Sequence, residues 1–86
     1  MNNTIRLTLD SASVFVLHVI AGHPMSENGL RAFMQADTEG REILSRDIRA
    51  PGRQLDALEA RGFISFDGNQ IVTTDMLKHV VITVAE

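Results

Sequence analysis

Residues 53–72 read RQLDALEARGFISFDGNQIV, and this stretch decides the fold. Its first half predicts a helix. Pro51 suits the first helical turn, where its missing N–H costs nothing. At about 100° per residue, Pro51, Leu55, Leu58 and Gly62 fall on one side, which is the predicted core face. Arg53, Ala57 and Ala60 fall opposite, with Gln54 and Asp56 on the flanks. Gly62 is placed to stop the helix after Arg61. In the second half two short apolar runs flank Asp67-Gly68, a strong local signal for a β-hairpin.

Upstream, residues 10–21 read DSASVFVLHVIA. Asp10 or Ser11 is placed to cap a helix that ends at Gly22. Within it only Ser11, Ser13 and His18 are polar, so the helix is apolar nearly all round and is expected to be buried on two sides. The β-branched run Val14, Val16, Val19, Ile20 leaves a strand reading open. His23-Pro24 breaks the chain. Ser26 then caps a second helix through about Ala36, with Leu30, Phe33 and Met34 at helical spacing. Asp37–Gly40 reads as a turn. A short element at about 41–48 follows, with Ile43, Leu44 and Ile48 on one face.

The ends are less decided. TIRLTL at 4–9 alternates Ile5, Leu7 and Leu9 with Arg6 and Thr8, a strand period. In TTDMLKHVVITVAE, Thr74 or Asp75 is placed to cap a helix with Met76, Leu77, Val80, Val81 and Val84 on one face. Yet residues 79–84 are rich in β-branched side chains. Helix is favoured over 75–85 and strand stays open.

Eighty-six residues make one domain, read here as α+β and mainly α, with a single small core. With 44% hydrophobic and 22% charged residues, wholesale disorder is not expected. The absence of cysteine removes disulfides, thiolate metal sites and cysteine nucleophiles together. No apolar run reaches the ~18 residues of a membrane span. The first residues lack a basic region followed by an apolar stretch, so no secretory leader is expected and a cytoplasmic location is. His18, His23 and His79 have no ligand spacing. No glycine pattern makes a phosphate loop and no serine lies in a nucleophile elbow. Met25, Met34 and Met76 read as core filler. The expectation is no enzyme and no cofactor.

The net charge is −3, yet its distribution is uneven. Residues 1–40 carry −2 and residues 54–86 carry −3, while residues 41–53 carry +2 through Arg41, Arg46, Arg49 and Arg53. Seven of the eight basic residues are arginine, the side chain suited to bidentate contact with bases and phosphates.

The order of helices, hairpin and terminal element resembles a winged helix-turn-helix domain. The residues that carry the resemblance are RQLDALEARGFI at 53–64, the Asp67-Gly68 hairpin, IVTTD after it, and VLHVIAGHPMS at 16–26. They look like a recognition helix with its glycine stop, a wing, a threonine-capped element, and a first helix leading to the second. The pattern is similar to winged-helix repressors of the MarR and PadR kinds, and the spacing from Gly29 to Gly62 is closer to PadR. The resemblance implies a sequence-specific regulator that binds double-stranded DNA as a homodimer. In that reading Arg53 addresses guanine, Gln54 addresses adenine, Ala57 permits close approach, and Arg46 and Arg49 sit on phosphates. Val14, Leu17, Met76, Val80 and Val84 are the candidates for a two-fold interface. The alternative is an adaptor of the same fold that binds protein and not DNA. The acidic total, the uncharged hairpin tip and the apolar first helix motivate it.

Overall fold

A computed structural model describes residues 5–85. Thr4, where the predicted first strand begins, lies outside them. The chain is α+β and mainly helical. Its elements are β1 (Ile5–Asp10), α1 (Ser11–Gly22), α2 (Glu27–Ala36), α3 (Thr38–Arg46), α4 (Gly52–Ala60), β2 (Ile64–Asp67) and β3 (Gln70–Thr73). A 3₁₀ helix (Asp75–His79) and β4 (Val80–Ala85) complete the order. Among the described residues no helix is long and apolar enough to cross a membrane.

Residues 10–21 resolve to helix. The Asp10 carboxylate leading into α1 accepts from the Ser13 hydroxyl at 2.6 Å. α1 buries Val16, Leu17 and Ile20 and touches α2, α4, β1, β3 and β4. The core it shares contains Leu30, Met34, Ile43, Leu55, Leu58, Ile64 and Ile71, all buried. Full burial of an aliphatic side chain stabilises by about 1.5–3 kcal/mol, so this cluster is the main source of stability.

The connection between α1 and α2 does more than turn the chain. Met25 forms an isolated antiparallel bridge to Ile71, whose N–H donates to the Met25 carbonyl at 2.7 Å. The link between the first two helices is thereby fastened to the hairpin. Ser26 caps α2 as expected, its hydroxyl accepting from the Gly29 N–H at 3.0 Å.

The predicted turn at 37–40 is instead a single joint. Asp37 ends α2 and caps α3, its carboxylate accepting from the Gly40 N–H at 3.0 Å. The third helix therefore starts at Thr38 and ends at Arg46, earlier than the predicted 41–48. Gly40 packs directly on the α2 backbone. A Cβ there would lie 2.6 Å from both Cα and the carbonyl oxygen of Met34. Ile48, predicted to join Ile43 on a buried face, is 97% exposed because the helix has already ended.

α4 buries Pro51, Leu55 and Leu58. Gly62, with φ +81°, closes the helix in a Schellman arrangement. Its N–H donates to the Glu59 carbonyl at 2.9 Å, and the Phe63 N–H donates to the Leu58 carbonyl at 3.0 Å. β2 and β3 pair antiparallel from Ile64 opposite Thr73 to Asp67 opposite Gln70. The central turn residues are thus Gly68 and Asn69. Gly68, φ +64°, takes the first central position, which a II′ turn reserves for glycine.

The favoured helix over 75–85 is not formed. One short 3₁₀ turn, capped by the Thr74 hydroxyl accepting from the Met76 N–H, gives way to β4. β4 runs parallel to β1, from Ile5 beside Val80 to Asp10 beside Ala85. The β-branched run Val80–Val84 suits a pleated partner better than a helix. Met76, expected in the core, is 45% exposed as a result.

Gly40→Ala must push α2 and α3 apart and is expected to lower stability by about 1–3 kcal/mol. Gly62→Val is expected to cost about 1 kcal/mol or more, since a β-branched residue fits positive φ poorly. Gly22→Ala, with open space around it, is the control and should melt at or above wild type. Thermal unfolding followed by circular dichroism checks all three.

Candidate functional site

The site is built around the turn between α3 and α4. Asp47 follows the last residue of α3, and its carbonyl accepts from the Ala50 N–H at 3.0 Å. Its carboxylate gathers the neighbouring donors. Oδ1 accepts from the Arg49 N–H at 3.0 Å, and Oδ2 accepts from Gln54 Nε2 at 3.0 Å. Arg53 Nε lies 3.3 Å from the same Oδ2. These contacts hold the Asp47 carboxyl below the ordinary carboxylate range. The Arg49 backbone N–H is the largest cause, then the Gln54 amide, then the positive charge of Arg53; desolvation opposes them.

Arg31 on α2 braces the same turn. Its guanidinium donates to the Ala50 carbonyl at 3.1 Å and pairs with Glu27 at 3.6 Å, one helical turn back. The start of α4 is therefore fixed from both sides, by Asp47 and by Arg31. Neither residue announced this role in sequence, because the partners lie across a turn or 19 residues away.

The predicted contact residues divide. Arg46 and Arg49 are exposed, Arg46 reaching back to the Glu42 carbonyl of its own helix at 3.4 Å. The Arg53 side chain is 62% exposed although it is paired with Asp47. Ala57 is exposed one turn further along α4, and Ala60 after it, so this outer face is low. Gln54 is not on that face. It is 3% exposed, because the turn at 47–50 folds over its flank and Asp47 takes its amide. Its Oε1 is buried with no hydrogen-bond partner among the described residues. Gln54 thus positions Asp47 and does not reach outward to a base. Asp47 pairs with Arg53 and accepts from the Arg49 backbone N–H, so the patch is net positive without being purely basic. The hairpin tip, Asp67–Gln70, is exposed and carries no cation, and Phe66 beside it is 44% exposed.

The predicted interface residues also divide. Leu17 is 5% exposed and belongs to the chain's own core, since the buried stripe of α1 includes it. Val80 leans on that core from β4. Val14 is half-buried and packs on the same core from α1, while Val84 and Met76 remain exposed. Val14 and Val84 line a concave apolar region of about 640 Å³ with Phe15, Val19 and Phe33, and His18 stands exposed beside them. The Phe15 and Phe33 rings pack at 6.4 Å between centroids. Among the described residues no group of three or more His, Asp or Glu side chains is placed to hold a metal ion.

Asp47 provides a pH test. Its folded pKa is lowered, so its contribution to stability is full above the unfolded value and is lost as pH falls through the folded one. Asp47→Asn should melt below wild type at pH 7. The gap should persist down to about pH 5 and close below the ordinary carboxylate pKa of about 3.9. A gap unchanged at pH 2.5 would remove the ionised carboxylate from the account. Comparison of the chain with protein-family models, with curated proteins and with solved structures returns no match.

Proposed function

We propose that this protein is a small winged-helix regulator that binds double-stranded DNA as a homodimer. α4 enters the major groove and the β2–β3 hairpin serves as the wing. The observation that carries the reading is Arg53. It stands in the first turn of α4, largely exposed, with its guanidinium held by a carboxylate that the turn itself anchors. Groove readers place base contacts at this end of a recognition helix. A pre-positioned guanidinium loses less side-chain entropy on binding than a free one, which favours bidentate contact with guanine O6 and N7. Arg46 and Arg49 flank it for phosphates. Ala57 and Ala60 leave the outward face low enough for close approach to base edges. Gln54 supports Arg53 through Asp47 and makes no base contact.

A second reading is a protein-binding adaptor of the same fold. It is favoured by the cation-free hairpin tip with Phe66 exposed beside it, and by Asp56 and Glu59 exposed on α4, where phosphate would repel them.

Titration of duplex DNA at several salt concentrations separates the two. With about three phosphate contacts per subunit, the log–log salt slope of the dimer should be about −5. Arg49→Ala should weaken binding to all sequences alike and flatten that slope by about one unit per lost contact. Arg53→Ala should cost about 1–3 kcal/mol per half-site on the preferred sequence and little on random DNA. If no duplex binds at low salt, the adaptor reading replaces this one.

A further inference from the structure

We propose that two copies of this chain join by antiparallel pairing of their β4 strands, giving a four-stranded sheet in the order β1, β4, partner β4, partner β1. The inference takes up the homodimer of the proposed function and rests on that part of it alone.

The β1–β4 sheet is anomalous as it stands. It has two strands and both are parallel. Two-stranded sheets are marginal by themselves, and parallel strands normally lie within larger sheets covered on both faces. Among the described residues each strand leaves a free edge, and the two edges differ. β1, IRLTLD, carries exposed Arg6 and Asp10, charges of the kind that blunt an edge against pairing. β4, VVITVA, has no charge, no proline and no glycine, and five of its six residues are β-branched. Val81 and Val84 on it are 50% and 43% exposed. An unprotected edge of this composition is a template for another strand.

The occupant follows from the chemistry of the edge and its continuity with the apolar groove along α1. An uncharged edge meets no repulsion from its own copy, and a two-fold axis pairs identical strands antiparallel. Residues opposite each other must share a face, so the register that pairs every inward residue sets Ile82 opposite Ile82 of the partner subunit and Val80 opposite Val84 of the partner subunit. The apolar groove along α1 begins at Val84, the inward residue near the end of β4. A strand added there lays its inward valines and isoleucine over Val14 and Phe15.

The test uses the absence of native cysteine. Ile82→Cys places one thiol directly opposite its copy, within the span of a disulfide. In a glutathione redox buffer it should become a covalent dimer. Thr8→Cys, on the β1 strand, should form no disulfide-linked dimer under the same conditions. Sedimentation equilibrium without DNA should give twice the 9.5 kDa of one chain for wild type. Val84→Glu should give the single-chain mass, with its circular dichroism spectrum retained. A wild type that sediments as one chain at high micromolar concentration overturns the proposal. So does crosslinking at position 8 and not at 82, or a Val84→Glu protein that remains dimeric. Because none of these readouts uses DNA, a failure to bind duplex leaves the inference standing, whereas a single-chain wild type removes the homodimer and leaves DNA binding by one chain to be read from the duplex titration.

Discussion

The buried stripe of α1, Val16, Leu17 and Ile20, is the surface on which the other elements assemble. Leu55 and Leu58 come to its core from α4, Ile71 from β3, and Leu9 from β1. Each of these elements is too short to persist alone. A nine-residue helix is marginal in water and so is a lone two-stranded sheet. Their order therefore comes from burial on α1 and from the few hydrogen bonds that lock the joints. What α4 shows to solvent is settled by what it buries: with Leu55 and Leu58 inward, Arg53, Ala57 and Ala60 must face out.

The joints add direction to that burial. Asp37, Asp47 and Thr74 each use a side-chain oxygen to satisfy a backbone N–H where a new segment begins. Such groups would otherwise be left without partners at helix starts. Asp47 combines this role with an ion pair, so one residue sets both the path of the backbone into α4 and the position of Arg53. A change that loosens Asp47 alters the outward face without touching the core.

Features legible in the sequence were those satisfied within a few residues. Ser26 bonds three residues on, Gly62 and Phe63 close a helix by bonding three and five residues back respectively, and the Asp67-Gly68 hairpin pairs across two residues. The outward and inward faces of α4 also followed from helical period, except at Gln54. Its burial depends on a turn that folds back over it, which period does not encode. The same holds for Gly40, whose role is set by the Met34 backbone. It holds for Met25, whose partner Ile71 is 46 positions away, and for β4, whose partner strand is at the other end of the chain. At residues 80–84 local propensity and helical period disagreed, and a distant strand decided the outcome. Of the candidate contacts, Arg46, Arg49, Arg53 and Ala57 were readable because exposure follows from charge and face. The carboxylate in their midst was visible as a residue but not as their organiser.

In the proposed function the working surface is the α3–α4 turn and the outer face of α4, and in the proposed dimer the β4 edge serves self-association. The most direct test is a ¹H–¹⁵N correlation spectrum of the labelled protein titrated with duplex DNA at low salt. The expected result is that amide shifts concentrate at residues 46–57 and leave 80–85 in place. Shifts confined to the α1 groove and β4, or none anywhere at saturating duplex, would contradict it.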